Sequence, residues 1–189
     1  MKKIVILFLL FFNMSCVYAS SKFKVTLDKC IDGDTARFNI KGEVKTVRFL
    51  SINAPEIDHD NVVAEPFGYE AGDYTCNLLK KASVIKLQYD TKSDKEDKYG
   101  RVLAWVFVDD VLLQEILVGE GLAEVRYVYD DYLYSSDLKE VEKIAKSNHK
   151  GMWGNLVHNS VDYSNFYYFF LIIFVIWMMY SLFKKITSK

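Results

Sequence analysis

Residues 47–56 read Val47-Arg48-Phe49-Leu50-Ser51-Ile52-Asn53-Ala54-Pro55-Glu56. The first six alternate as a strand does, so Arg48, Leu50 and Ile52 fall on one face. An arginine on an apolar face is costly unless a carboxylate meets it. Two carboxylates bracket this one: Asp34 ends a turn ahead of the strand, and Glu56 follows its end. Asn53-Ala54-Pro55 stops the strand, because proline lacks the N–H a ladder needs and restricts the residue before it. The stretch predicts an arginine turned inward near the mouth of a small sheet, rather than a solvated edge charge.

The same alternation continues outward. Phe23, Val25 and Leu27 alternate with polar residues, as do Ala36, Phe38 and Ile40. Lys41-Gly42-Glu43 is a hairpin turn into a third strand over 44–52, and Asp32-Gly33-Asp34 is a tight turn between the first two. Downstream, Ala71, Tyr74, Leu78 and Ala82 share one face of a helix over 69–82. A strand over 84–89, a charged loop over 91–100 and a strand over 102–108 come next. Asp109-Asp110 turns the chain into 111–113, and a short helix over 114–120 is closed by Gly121. A last helix starts at Asp137, with Glu140 three residues on as a capping box. Trp105 and Trp153 read as core, and His149 as a contact at the end of that helix. Five short, mostly antiparallel strands with inserted helices make an α+β domain. A closed barrel is the economical way to hide its edges.

The two ends of the 189-residue chain read as addresses. Residues 1–19 have a basic start, a short apolar stretch and a small residue at Ala19, as a cleaved signal peptide has. Residues 163–183 are an uncharged run of 21, enough for about 30 Å of helix, the thickness of a hydrocarbon core. Tyrosines flank that run, and Lys184, Lys185 and Lys189 follow it. The positive-inside rule puts this 184–189 tail in the cytoplasm. The expectation is a single-pass membrane protein. Its domain, 22–155, faces away from the cytoplasm and is joined by a spacer, 156–162, to the membrane. All 25 acidic residues lie between the signal and the apolar run, against 19 of the basic ones, a net charge of −6. Such a domain does not hold nucleic acid by bulk charge; any binding must be local. Two prolines and nine glycines exclude collagen-like and linker-rich chains, and three cysteines exclude a disulfide miniprotein.

Asp32, Asp34 and Glu56 offer hard oxygen ligands that suit Ca²⁺ or Mg²⁺. Asp97-Lys98-Tyr99-Gly100-Arg101 gathers two cations and an aromatic on one loop. Tyr127 and Tyr129 fall on one side of an extended segment, where paired tyrosines can stack on a base. Beyond the signal, Cys30 and Cys76 are the remaining cysteines. They either bond, stapling helix to barrel, or stand as two buried thiols.

Taken together, these motifs resemble the staphylococcal nuclease-like (thermonuclease) domain. The matching pieces are 31–35, 47–50, 52–56, 68–71, 97–101, 121–123 and 127–129, in register from about Val25 to Trp153. The resemblance implies an OB-fold, five-stranded β-barrel with about three helices. It implies a Ca²⁺-dependent nuclease acting on phosphodiesters of DNA or RNA. By position it makes Asp34, Asn53 and the Ala54 carbonyl the metal ligands. Glu56 becomes the base that activates water, and Arg48 and Arg101 the clamp on the scissile phosphate. Lys98, Tyr99, Tyr127 and Tyr129 become the nucleotide-binding wall. Asn53 stands where the family has an aspartate, so one negative charge is missing from the metal site. The alternative to a nuclease is an inactive OB-fold module that binds nucleic acid or an envelope protein.

Overall fold

The computed structural model describes residues 21–58 and 63–154. The expected signal peptide, the spacer over 156–162, the apolar run over 163–183 and the tail over 184–189 lie outside the described residues. Among the described residues no helix is long and apolar enough to cross a membrane.

The chain runs β1 (Phe23–Cys30), β2 (Thr35–Ile40), β3 (Glu43–Phe49), β4 (Ile52–Asn53), α1 (Gly68–Lys81), β5 (Ile85–Gln88) and β6 (Val102–Val108). It continues through β7 (Val111–Leu112), α2 (Leu113–Gly119), β8 (Glu124–Val125) and α3 (Ser135–Ser147), then a 3-10 turn at Gly151–Trp153. Five strands form the barrel in the order β3-β2-β1-β5-β6, and a parallel β3–β6 pairing closes it. The fold is α+β, a closed five-stranded barrel with three helices, and β7 extends β6 outside the closure.

One strand serves two neighbours. Phe23 to Val25 of β1 pair with β5, and Thr26 to Cys30 pair with β2. A register shift between Leu27 and Lys29 lets β1 bend from one to the other. The alternating residues fill the barrel: Phe38, Val47, Phe49, Leu87, Trp105 and Val106 are fully buried. A polar strap crosses this core, where buried Asp90 accepts hydrogen bonds from Trp105 Nε1 and the Leu133 N–H, each at 2.8 Å.

Some elements differ from the sequence expectation. The third strand ends at Phe49, because Ser51 takes a left-handed φ of 61°. The chain restarts as β4, which pairs with β8. The buried face of α1 is Gly68, Ala71, Thr75 and Leu79, one step round from the expected one, and Tyr74 is exposed. Helix α3 starts at Ser135, capped by Tyr134 with no side-chain bond, so Asp137 and Glu140 form no capping box. Its end is closed by main chain, with the His149 N–H donating to Lys146 O at 3.2 Å. Trp105 is buried in the core, whereas Trp153 is half-buried beneath Lys146 Nζ, 4.2 Å from the ring centroid. Cys30 and Cys76 are bonded, with their Cα atoms 5.6 Å apart, tying the end of β1 to α1.

Candidate active site

The acidic turn after β1 is built to lie flat. A Cβ on Gly33 would stand 2.5 Å from Ala54 Cβ and 2.9 Å from Ala71 Cβ, so only glycine fits. Asp32 Oδ1 accepts the Asp34 N–H at 2.9 Å, which fixes the turn. Asp34 is buried. Its Oδ2 accepts the Ala54 N–H at 2.7 Å and Arg48 Nη2 at 2.8 Å, and its Oδ1 accepts the Thr35 hydroxyl at 2.9 Å. Burial pushes the Asp34 carboxyl up to about 7 against the pull of Arg48, and the nearby Asp32 carboxylate adds to the rise.

Arg48 sits on β3 where that strand pairs with both β2 and β6. It is buried and paired with a carboxylate, as expected, but Val47 and Phe49 take the core face of β3 and Arg48 the opposite one. Its Nη1 donates to Phe49 O at 3.0 Å and Ile52 O at 2.8 Å. Its Nη2 donates to Asp34 and, at 3.2 Å, to Asn53 Oδ1. A guanidinium has five N–H groups, so the protein already occupies the four on the Nη atoms. The left-handed turn at Ser51 brings the Phe49 and Ile52 carbonyls onto one side of that group.

Glu56 follows β4. Its backbone is tied by the Glu65 N–H donating to Glu56 O at 2.9 Å and by its own N–H donating to Glu65 Oε2 at 3.1 Å. Its side-chain carboxylate has no partner among the described residues. Arg101 ends the 91–100 loop, and Asp97 orients it: Nε donates to Oδ2 at 2.7 Å and the backbone N–H to Oδ1 at 2.9 Å. Burial alone would raise the Asp97 carboxyl, but hydrogen bonds from Arg101 and Tyr99 leave it below the usual carboxylate range. The two terminal nitrogens of Arg101 make no hydrogen bond among the described residues.

These side chains meet in one open cleft of about 660 Å³. Arg48, Asn53 and Glu56 line it together with Arg101. Lys98, Tyr99, Tyr127 and Tyr129 line it too, and the three tyrosines are exposed. The Tyr127 ring lies 5.8 Å from both the Arg48 and the Arg126 guanidinium carbons. Asp34 and Ala54 are buried and do not line the cleft. The expected extended segment is bent, since Tyr127 has a φ of 58°, but both tyrosines still reach the same cleft. Sequence reasoning missed Ser51, Ser93 and Tyr132, which also line it. Tyr132 follows the Tyr127–Tyr129 pair, and the bend hides its register from any period-two pattern. A larger groove of about 870 Å³ lies between β1 and the end of α1 and holds none of these residues.

A family described as staphylococcal nuclease homologue matches residues 46–155. The chain belongs to that family. Over 130 residues it is 42% identical to the SPbeta prophage-derived endonuclease YokF of Bacillus subtilis (strain 168), covering 68% of this chain and 43% of that one. It is 40% identical to endonuclease YncB of the same organism, covering 68% of this chain and 61% of YncB. It is 32% identical to the thermonuclease of Staphylococcus hyicus, covering 67% of this chain and 73% of that protein. The chain spans less than two thirds of the length of the two Bacillus relatives.

Members of the staphylococcal nuclease family generally use Ca²⁺. Among the described residues no group of three or more His, Cys, Asp or Glu side chains is placed to hold a metal. The oxygens that do converge are mixed. Asp34 Oδ2 and Asn53 Oδ1 both point at one cationic nitrogen, Arg48 Nη2. That set is oxygen-only and contains one buried carboxylate, which also accepts the Ala54 N–H. It fits a hard divalent cation, with one formal negative charge fewer than a site with two carboxylates.

Proposed function

We propose that the domain is a nuclease that hydrolyses phosphodiesters of DNA or RNA. One observation carries the reading: Glu56 and Arg101, whose carboxylate and terminal guanidinium nitrogens have no partner among the described residues, share a single tyrosine-walled cleft with Arg48. A phosphodiester placed there meets Arg101 through two unoccupied guanidinium nitrogens, in the fork geometry that suits phosphate. Arg48 joins by exchanging Asp34 and Asn53 for phosphate oxygens at Nη2, one anion for another. Glu56 takes the proton of the attacking water. Two guanidiniums then face the charge that grows on the equatorial oxygens. Tyr99, Tyr127 and Tyr129 stack on bases without reading their edges, which predicts little sequence preference.

Asp34, Asn53 and the Ala54 carbonyl would hold Ca²⁺. Bound there, the ion would supply positive charge beside the phosphate and a Lewis acid for water. The signal peptide and the apolar run at 163–183 support an extracytoplasmic domain on a membrane anchor, where calcium is plentiful. A second reading, a binding module without hydrolysis, draws on Asn53, which leaves that donor set a single carboxylate.

The test is cleavage of single-stranded DNA and RNA by the purified chain, from micromolar to tens of millimolar Ca²⁺. Glu56→Gln and Arg101→Ala should abolish it, and Asn53→Asp should lower the calcium requirement. No cleavage by the wild type or by Asn53→Asp, both folded, at any calcium level would sink the enzyme reading.

A further inference from the structure

The disulfide lies where the site is built. Cys30 ends β1, and the Ile31-Asp32-Gly33-Asp34 turn follows at once. Cys76 is on α1 next to Thr75, which is fully buried and donates its hydroxyl to Gly33 O at 2.8 Å. Helix α1 therefore grips the turn twice, covalently at its flank and by a hydrogen bond at its centre. Ala71, one helical turn earlier, packs so close that Gly33 has no room for a Cβ. The turn in its place sets Asp34 against the Ala54 N–H and Arg48. Barrel closure does not need this bond. Parallel β3–β6 pairing closes the sheet, and Cys30 is already paired with Ala36 of β2. Neither cysteine belongs to the hydrophobic core.

We infer that the Cys30–Cys76 bond is a positioning clamp for Asp34, and that reducing it detunes the phosphate site of a domain that stays folded. The activity side of this inference rests on the nuclease reading above. Both cysteines are half-buried, so a small thiolate can reach the sulfurs. With a dithiol reductant, a thiolate attacks one sulfur, the Sγ–Sγ bond breaks and a mixed disulfide forms. The second thiol of the reductant then displaces the cysteine. Two electrons and two protons end on Cys30 and Cys76, and the dithiol leaves as a cyclic disulfide. In the reduced protein the Thr75 hydroxyl and the Ala71 packing are what remain between α1 and the turn among the described residues. An oxidising compartment keeps the site set, and a reducing one slackens it.

The experiment compares the oxidised and dithiol-reduced full chain in detergent, at a temperature where circular dichroism shows both folded. Amide hydrogen exchange is read over residues 31–35 and over β6, and kcat and KM on single-stranded DNA are read at saturating Ca²⁺. Reduction should speed exchange at 31–35 well beyond the rise in β6, where exchange follows global stability. It should lower kcat by on the order of tenfold to a hundredfold, as a displacement near 1 Å does. Reoxidation should restore both. Cys30→Ala/Cys76→Ala should reproduce the reduced state, Thr75→Val should loosen the same turn, and Thr75→Ser should not. Unchanged exchange at 31–35 in the reduced, folded chain would overturn the clamp. So would equal acceleration across β6, which marks a purely stabilising bond, or a loosened turn with unaltered kcat. If neither the oxidised chain nor its Asn53→Asp variant cleaves, the nuclease reading fails alone, and exchange at 31–35 still decides the clamp.

Discussion

Replacing Gly68 with alanine asks whether the start of α1 sets the position of Glu56. Gly68 is the first residue of the helix, after Phe67 in the left-handed region at φ 70°. A Cβ on Gly68 would stand 2.1 Å from Glu56 O, 2.8 Å from Glu56 C and 3.3 Å from Ile57 N. All three are backbone atoms, so no side chain can swing aside. Real Cβ contacts essentially never fall under 3.0 Å, so Glu56 O and the helix start must part by about 0.9 Å. The strap between them is tied at both ends by the Glu56–Glu65 bonds, and the movement falls on Glu56. Overpacking of this kind costs about 1–3 kcal/mol. Alanine's better helix propensity returns up to about 1 kcal/mol of that. A catalytic group moved by about 1 Å loses about a hundredfold in rate. The expected outcome is a modest fall in Tm and a fall of about a hundredfold in kcat, with KM nearly kept, because arginines and tyrosines elsewhere hold the substrate.

Gly72→Ala is the matched control. It lies one turn later on the same helix, and its Cβ would meet nothing closer than 3.8 Å. It should raise stability by about 0.5–1 kcal/mol and leave kcat alone. Initial rates of acid-soluble nucleotide release from single-stranded DNA and thermal melts read both variants. If Gly68→Ala melts and turns over like Gly72→Ala, the helix start does not set Glu56.

Other variants probe the frame and the wall. Removing the Cys30–Cys76 bond, which spans a sequence separation of 46, should lower unfolding stability by about 4 kcal/mol in denaturant melts, by the loop-entropy relation. Asp90→Ala leaves Trp105 Nε1 and the Leu133 N–H without their buried acceptor. It should cost about 2–4 kcal/mol and weaken single-stranded DNA binding, read by Trp105 fluorescence and by titration, since the Tyr127–Tyr132 wall hangs on that strap. The Asp97 carboxyl is held below its ordinary value of 3.8, so its tether on Arg101 is fully present above that pH. The tether is lost as pH falls through the depressed folded-state value. Oligonucleotide binding should therefore keep its Asp97-dependent part at pH 5 and lose it in stronger acid, and Asp97→Asn should flatten that acid limb.

Which parts of this were legible in sequence follows a physical division. Strand alternation exposed Phe38 as a core residue, because a period of two survives barrel curvature. Local irregularity hid the rest. Ser51 breaks β3 with a left-handed residue that no composition rule marks, because glycine usually takes that place. Yet that break delivers the Phe49 and Ile52 carbonyls to Arg48 Nη1. The one-step error in the buried face of α1 mattered for the same reason. It put Tyr74 inside and Thr75 outside, and so concealed the hydroxyl that grips the acidic turn.

The arginine that first announced the fold is also where structure and chemistry compete. Sequence spacing placed Asp34 and Glu56 on either side of Arg48 and gave the ion-pair reading, whereas the phosphate clamp came from the family resemblance. In the structure Arg48 holds Asp34 and Asn53, while the Glu56 carboxylate has no partner among the described residues. A guanidinium spent on an internal carboxylate grips a phosphate only if something else satisfies that buried charge. Asn53 is well suited to such an exchange, since a neutral amide releases Nη2 more cheaply than a second carboxylate would. On the proposed reading, the asparagine that would weaken cation binding would also make Arg48 easier to free. Asn53→Asp should therefore tighten calcium binding while raising KM for the nucleic acid, and a variant that improved both would show that Arg48 never leaves Asp34.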